Sequence, residues 1–590
     1  MSPIDIVYTV YRIMSDPSQR EIYIHVIGLL WLHWSLYSVM FIGIGLWLFR
    51  FLRYPVTQKF DFITAFWLGW AVVIALLQVW HLYAPVSSMA AWLFFIVGLT
   101  GILIHSKHLI MFLKWHWNIK TIFIFTLFIV FFLLISGGSI DAPSNGDFAL
   151  YHLQVIEWNK AYPIVTGLGN LHGRLAFNNS NFLYVSLMDV WLVPGIGSHI
   201  AASLLILFFF FFSLWGIHRL LIGDIRVSTI FATLTLPVIA WVVTKNEYLT
   251  TPDSDLIPIL LSPIILIILL KILEHNTSST TIPIELIIII LLSCIGVVSK
   301  LSFVIYAALS SLLALVFSKN LKPYHLLFIS TFSLFVGGIW LIRGYLLSGY
   351  LLFPLHSLPF PVDWRVPCFN AIKEASLILS WARMPNKPYQ EVLNNWNWLS
   401  PWFIRTLQHD FEVFTPLTIA IVSMLGLVLT RSFKNWDRIL FSIGIPLCSL
   451  LFWFISAPDV RFAGSFFWVL ANIILAILIN QRILIDSRHI PFVVIMFVLV
   501  LSYERRLEFN LSFPSSENGF HTEPYPPLEQ KTTLTGLHIN FPIENDKCYR
   551  AALPCTPIWN PNLSYRIDGD LSSGFKNDDV DLSCPEQDIF

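Results

Sequence analysis

The chain has 590 residues, 56% of them hydrophobic and only 12% charged, about half the charged share of an ordinary soluble domain. With a mean hydropathy of +0.70 it is excluded as a soluble enzyme, because so much apolar surface must meet lipid. Its 36 basic and 36 acidic residues cancel, which leaves no net basic field to favour a nucleic acid.

The opening stretch, MSPIDIVYTVYRIMSDPSQRE, lacks a basic start followed by an apolar core and a small-residue cleavage site, so no removable secretory signal is expected and the first span stays in the protein. A bilayer core of ~30 Å asks for about 20 apolar residues per helix. Fourteen such windows are predicted, centred near residues 37, 72, 95, 130, 210, 235, 265, 291, 309, 336, 423, 447, 473 and 497. Lys and Arg orient them, since short basic loops stay cytoplasmic. Arg50, Arg53 and Lys59 mark one such loop and Lys107, Lys114 and Lys120 the next. Arg219 with Arg226, Lys319 with Lys322, Arg431 with Lys434 and Arg438, and Arg482 with Arg488 continue the series.

An even span count puts both termini outside, together with the polar stretches 140–198, 344–415 and 504–590. The expected fold is therefore an all-α polytopic integral membrane protein of about 14 transmembrane helices, carrying a small C-terminal extracytoplasmic tail domain of mixed or β-rich structure. Turn signals such as PSSENG and NPN break up that tail. Cys548 and Cys555 in CYRAALPC either close a small loop there or remain two free thiols. The six cysteines are otherwise too few and scattered for a disulfide scaffold, and Cys294 and Cys448 read as small core residues.

The first long outer loop, DAPSNGDFALYHLQVIEWNKAYPIVTGLGNLHGRLAFNNSNFLYVSL, is the richest in chemistry. Ser144 or Asn145 can cap a helix from about Asp147 to Lys160, with Phe148, Tyr151, Val155 and Trp158 at helical spacing on one side, lying along the membrane interface. Asp147 in its first turn is positioned to take a proton from a sugar or lipid hydroxyl, or simply to offset the helix dipole. His152 is either a donor to phosphate or an interfacial histidine. In GLGNLHGRLAFNNSN, His172 and Arg174 on a glycine-rich stretch suit a phosphate, the competing reading being a structural turn.

Further along, Asp253 and Asp255 in TPDSDL have a spacing that can chelate a hard divalent cation, Mg or Mn, unless they cap a helix. Lys300 interrupts an apolar run, where it either meets a lipid phosphate or snorkels. Arg343 and the pair Asp459 and Arg461 lie at outer span ends, and the last two can pair with each other. Trp364, Trp381, Trp396, Trp398 and Trp402 crowd the 344–415 loop, as interface anchors or as a glycan-contacting surface.

The segments GDFALYHLQ, GLGNLHGRLAFN, WLIRGYLLSGYLLFP and APDVRFAG resemble a bacterial group of polytopic membrane proteins within the GT-C superfamily of lipid-phosphate-sugar-dependent glycosyltransferases, over residues 121–590. The resemblance implies an inverting transferase of the bacterial inner membrane with its active site outside. It would move a sugar from a polyprenyl-phosphate donor to an extracytoplasmic glycan, lipid or protein acceptor. Asp147 matches the acidic residue of the first loop, although Phe148 stands where the class often has a second carboxylate. Asp253 and Asp255 match the second acidic loop, Lys300 the lysine of a short outer turn, and Arg343 the arginine before a Ser-Gly stretch. Residues 1–120 then form a three-helix extension, 121–503 the core and 504–590 the tail domain. An O-antigen-type polymerase or ligase, a transporter or flippase of lipid-linked saccharides and a non-catalytic scaffold are the alternatives. Polar residues at span ends rather than mid-span argue against transport.

Overall fold

A computed structural model describes residues 17–113, 118–143, 146–274, 284–318, 321–430, 437–482, 489 and 524–578. The predicted cap residues Ser144 and Asn145 and the span predicted near residue 497 lie outside them. The protein is mostly helical. Among the described residues nine helices are long and apolar enough to cross a membrane, and four shorter apolar helices, Ser88–Ile104, Ile284–Ser299, Leu301–Phe317 and Phe466–Gln481, accompany them.

The helices sort by how much lipid-like surface they show. Leu256–Glu274 is Ile- and Leu-rich all round and is buried along nearly its whole length, as a central helix must be. Ile119–Gly138 and Pro323–Ser348 are also apolar yet have few buried residues, and so form the periphery. With no hydrophobic drive between helices in lipid, small residues and polar pairs set the contacts. Gly43 of Pro17–Phe51 meets Gly98 of Ser88–Ile104 backbone to backbone, and a Cβ at either position would overlap the backbone of the other helix. Ser262 and Ser465 hydroxyls lie 2.7 Å apart, the Tyr306 hydroxyl donates to the Ser262 carbonyl, and Asn472 donates to the Leu234 carbonyl. Such bonds contribute about 0.6 kcal/mol each.

The polar stretch after Ile119–Gly138 folds inward. A π-helical turn Phe148–His152 leads into the helix Leu153–Ala161. Phe148, Val155 and Trp158 are buried as the periodicity predicts, but so are Gln154 and Asn159. The helix therefore lies inside protein, not on the lipid interface. Its cover is the tail, which forms two antiparallel pairs: β1 (Leu528–Thr532) with β2 (His538–Pro542), and β3 (Leu563–Tyr565) with β4 (Phe575–Asn577). Gln154 Nε2 donates to the carbonyls of Tyr549 and Ala551, and the Phe575 amide donates to the Thr166 carbonyl. Gly167, at φ +69°, lies where a Cβ would collide with Phe575 and Trp364, so the tail and the 344–415 loop converge on it.

Cys548 and Cys555 are disulfide-bonded. Cys368 also stands in a disulfide, which the scattered spacing did not suggest. The tryptophans of the 344–415 loop divide. Trp396 and Trp381 are exposed, whereas Trp398 and Trp402 pack with Trp453 in a core of their own beneath the loop.

Candidate functional site

Helix ends and the polar segments beside them bring most of the predicted residues together. Asp147, in the first turn of the first-loop helix, accepts from Arg174 Nη1 at 2.8 Å through Oδ1 and from Arg461 Nη1 at 3.3 Å through Oδ2. Arg174 reaches it from the turn Gly173–Ala176, its guanidinium 5.6 Å from the centre of the Tyr151 ring. Arg461 comes from the turn Val460–Ala463, whose start is capped by Asp459 accepting from the Arg461 amide; Asp459 also lies 3.6 Å from Arg461 Nε. The two residues expected to pair do so, and Arg461 has Asp147 besides.

Asp253 accepts from the Asp255 amide at 3.0 Å, closing a turn just before Leu256–Glu274. Asp255, almost wholly buried, pairs with Lys300, which caps the turn after Ile284–Ser299 and lies over the Phe462 ring. Both carboxylates are thus engaged by partners of this chain, and among the described residues no group of three or more His, Cys, Asp or Glu is arranged to hold a metal.

The charges act on one another. Burial pushes the Asp147 carboxyl up, but Arg174, His152 and Arg461 outweigh it and hold the group below the usual carboxylate range. Burial disfavours the Arg461 charge, while Asp255, Asp459, Asp147 and Asp253 more than restore it and raise its pKa. Burial and then Asp253 raise Asp255, against the pull of Lys300 and Arg461. His152 is packed against Phe182 and Tyr151, and burial lowers its pKa to about 4, leaving a neutral ring behind Asp147. His172, buried behind Arg174, is lowered to about 3 by burial and then by that arginine.

Arg343 stands apart from this cluster, buried near the end of Pro323–Ser348 and bonded to His81 of Lys59–Tyr83 at 3.0 Å. Sequence reading missed Glu247, which burial and Asp253 raise, and Glu374, whose carboxylate approaches Gly173 and is raised by burial against the pull of Arg174. It also missed a second network. Arg550 of the tail meets Glu157 at 2.6 Å and fully buried Asp189 at 3.2 Å, and Lys160 joins Asp189 at 2.7 Å. Lone Glu and Arg residues in loops carry no sequence signal for such pairing.

A family model for a domain of unknown function (DUF8201) matches residues 29–468. The chain belongs to that family. The match starts inside the first described helix and ends just past Arg461, so it takes in the N-terminal helices along with every residue of the Asp147 cluster. No curated protein and no solved structure matches the chain.

Proposed function

We propose that the protein is a GT-C-like membrane glycosyltransferase that moves a sugar from a polyprenyl-phosphate donor to an extracytoplasmic glycan, lipid or protein acceptor. The observation that carries this reading is Asp147 held between Arg174 and Arg461 at a junction of helix ends. In the proposed single displacement an acceptor hydroxyl attacks the anomeric carbon, its proton passes to Asp147, and the bond from that carbon to the phosphate oxygen breaks. The sugar inverts, and the lipid phosphate leaves with the electron pair. Cations at this end of the bundle, Arg174, Lys300, Arg343 and Arg461, offset the departing charge.

An arginine-clamped carboxylate is a weak base. An arriving phosphate that draws Arg174 or Arg461 toward itself frees Asp147 to accept a proton, so basicity rises only when donor is bound. A fourteenth span near residue 497, an outer tail domain and a bacterial inner-membrane location complete the proposal, supported by the alternation of basic and base-poor loops. No step runs through a metal.

The test is mass spectrometry of surface glycans and polyprenyl-linked sugars in cells lacking the protein, complemented with wild type or with Asp147→Asn at equal membrane abundance. The reading expects a sugar missing from one glycan and an accumulated lipid-phosphate sugar with the variant. A wild-type profile from Asp147→Asn overturns it.

A further inference from the structure

The head of the first-loop helix carries a backbone irregularity. In the π-helical turn Phe148–His152 the Leu153 amide donates to the Phe148 carbonyl, so the Ala149 carbonyl loses the donor that an α-helix would give it. The tail supplies a replacement: the Tyr549 amide donates to the Ala149 carbonyl at 2.9 Å. Tyr549 adopts φ +44°, a left-handed conformation uncommon for a residue with a Cβ, which persists only where its surroundings over-determine it. Ala149 lies two residues from Asp147, so the tail bonds the very turn that presents the carboxylate.

Three contacts hold Tyr549 in place. The Cys548–Cys555 disulfide closes a short loop around it, and both sulfur-bearing residues are buried. Gln154, on the helix below, donates to the carbonyls of Tyr549 and Ala551. Arg550 reaches three elements at once. Its Nη1 meets Glu157 of Leu153–Ala161 and Asp189 at the end of Asn181–Asp189, and its Nη2 donates to the Gly195 carbonyl at 2.6 Å and the Ser198 hydroxyl at 2.7 Å, beside the head of Gly197–Leu221. Lys160 meets both carboxylates, so two cations balance two anions. Without Arg550 one negative charge is left over around Asp189, whose side chain is fully buried.

We infer that the loop Cys548–Cys555 is a latch that fixes the shape of the Asp147 turn, with Arg550 as a positioning residue acting through the Tyr549 amide. A π-turn holds one residue more than an α-turn. When the latch lifts and the turn reverts to α geometry, the residues before it rotate by about 100°, which carries Asp147 out of its place between Arg174 and Arg461. The latch itself is independent of what the protein does; only its consequence for sugar transfer rests on the transferase reading.

The full chain in phosphatidylcholine nanodiscs is followed by hydrogen–deuterium exchange and mass spectrometry over residues 146–161. Exchange there is expected to rise by about tenfold or more in Arg550→Ala and in Cys548→Ser combined with Cys555→Ser, while that of Leu256–Glu274 stays unchanged. Arg550→Lys keeps the charge without the planar fork and should fall between wild type and Arg550→Ala. Arg566→Gln, a tail residue paired with Asp363, should exchange as wild type does. Gln154→Leu removes only neutral bonds from the same contact and carries the measurement if the other variants do not accumulate in the membrane. With a lipid-phosphate-sugar donor, Arg550→Ala should lower kcat by about tenfold and leave KM for the donor near wild type, whereas a residue needed for folding alone leaves kcat per folded molecule unchanged. Unchanged protection in the accumulating variants overturns the latch, and an unchanged kcat in a protein whose exchange has risen overturns the positioning role. Exchange is read without turnover, so the latch can stand when Asp147→Asn shows no glycan phenotype, and Asp147→Asn can abolish transfer where the latch fails.

Discussion

Arg461 Nη1 lies 3.3 Å from Asp147 Oδ2 across 314 residues of sequence. The contact ties the turn before Phe466–Arg482 to the head of the first-loop helix, so the carboxylate is fixed from two directions, Arg174 supplying the second. Asp147→Asn keeps nearly the same shape while removing the charge that Arg174 and Arg461 engage. It is expected to lower sugar transfer by about 10²-fold or more, measured on purified enzyme with a lipid-phosphate-sugar donor, and to cost a modest amount of thermal stability because Arg174 and Arg461 lose their charged partner.

Lys300 and Asp255 form the more buried pair. Lys300→Met leaves a carboxylate in a dry site and should destabilise the protein by about 1–3 kcal/mol, less than a fully enclosed pair because Lys300 is partly exposed. Adding Asp255→Asn should recover most of that loss. A double-mutant cycle of melting temperatures measures the coupling, and strict additivity would count against the pair.

Two histidines give a pH dependence. His152 binds a proton only near pH 4 and His172 near pH 3, whereas the unfolded chain titrates them near 6.5. As pH falls below about 6.5 the unfolded chain takes up protons first, so stability contributed above that pH is lost progressively toward pH 4, on the order of 3 kcal/mol for His152. Asp147, held low, loses its own contribution at still lower pH in the same direction. Melting temperature against pH should fall across this window, and His152→Gln should flatten it.

The buried and exposed tryptophans of one loop should part company. Trp402→Ala empties a packed site and is expected to cost about 3–5 kcal/mol, whereas Trp396→Ala, 69% exposed, should leave thermal stability close to wild type. Denaturation of each variant in the same detergent decides it.

The apolar windows were legible because a span must be long and uniformly apolar: nine of the fourteen predicted centres fall in helices long and apolar enough to cross a membrane, four in shorter apolar helices, and the last lies outside the described residues. Asp147, Arg174, Lys300 and Arg461 stood out because charges at span ends are rare in such a chain. What joins them was not legible. Nothing local tells that Arg461 chooses Asp147 as well as Asp459, that Lys300 chooses Asp255, or that Trp398 turns inward while Trp396 turns out. Those choices are made by helices packing side by side, which periodicity along one chain does not encode. His81 was invisible for the same reason, being an ordinary polar residue until Tyr162 and Arg343 arrive on either side of it.

The hydrogen bonds from Gln154 to Tyr549 and Ala551 join positions about 395 residues apart. A ribosome making the chain delivers the first-loop helix long before the strands and disulfide loop that roof it. During that interval the nascent protein carries Asp189 without Arg550 and the helix without its cover. The order of synthesis therefore fixes an order of packing: the first-loop helix can be roofed only after residue 551 has been made, by which time all the helices from Pro17–Phe51 to Phe466–Arg482 already exist.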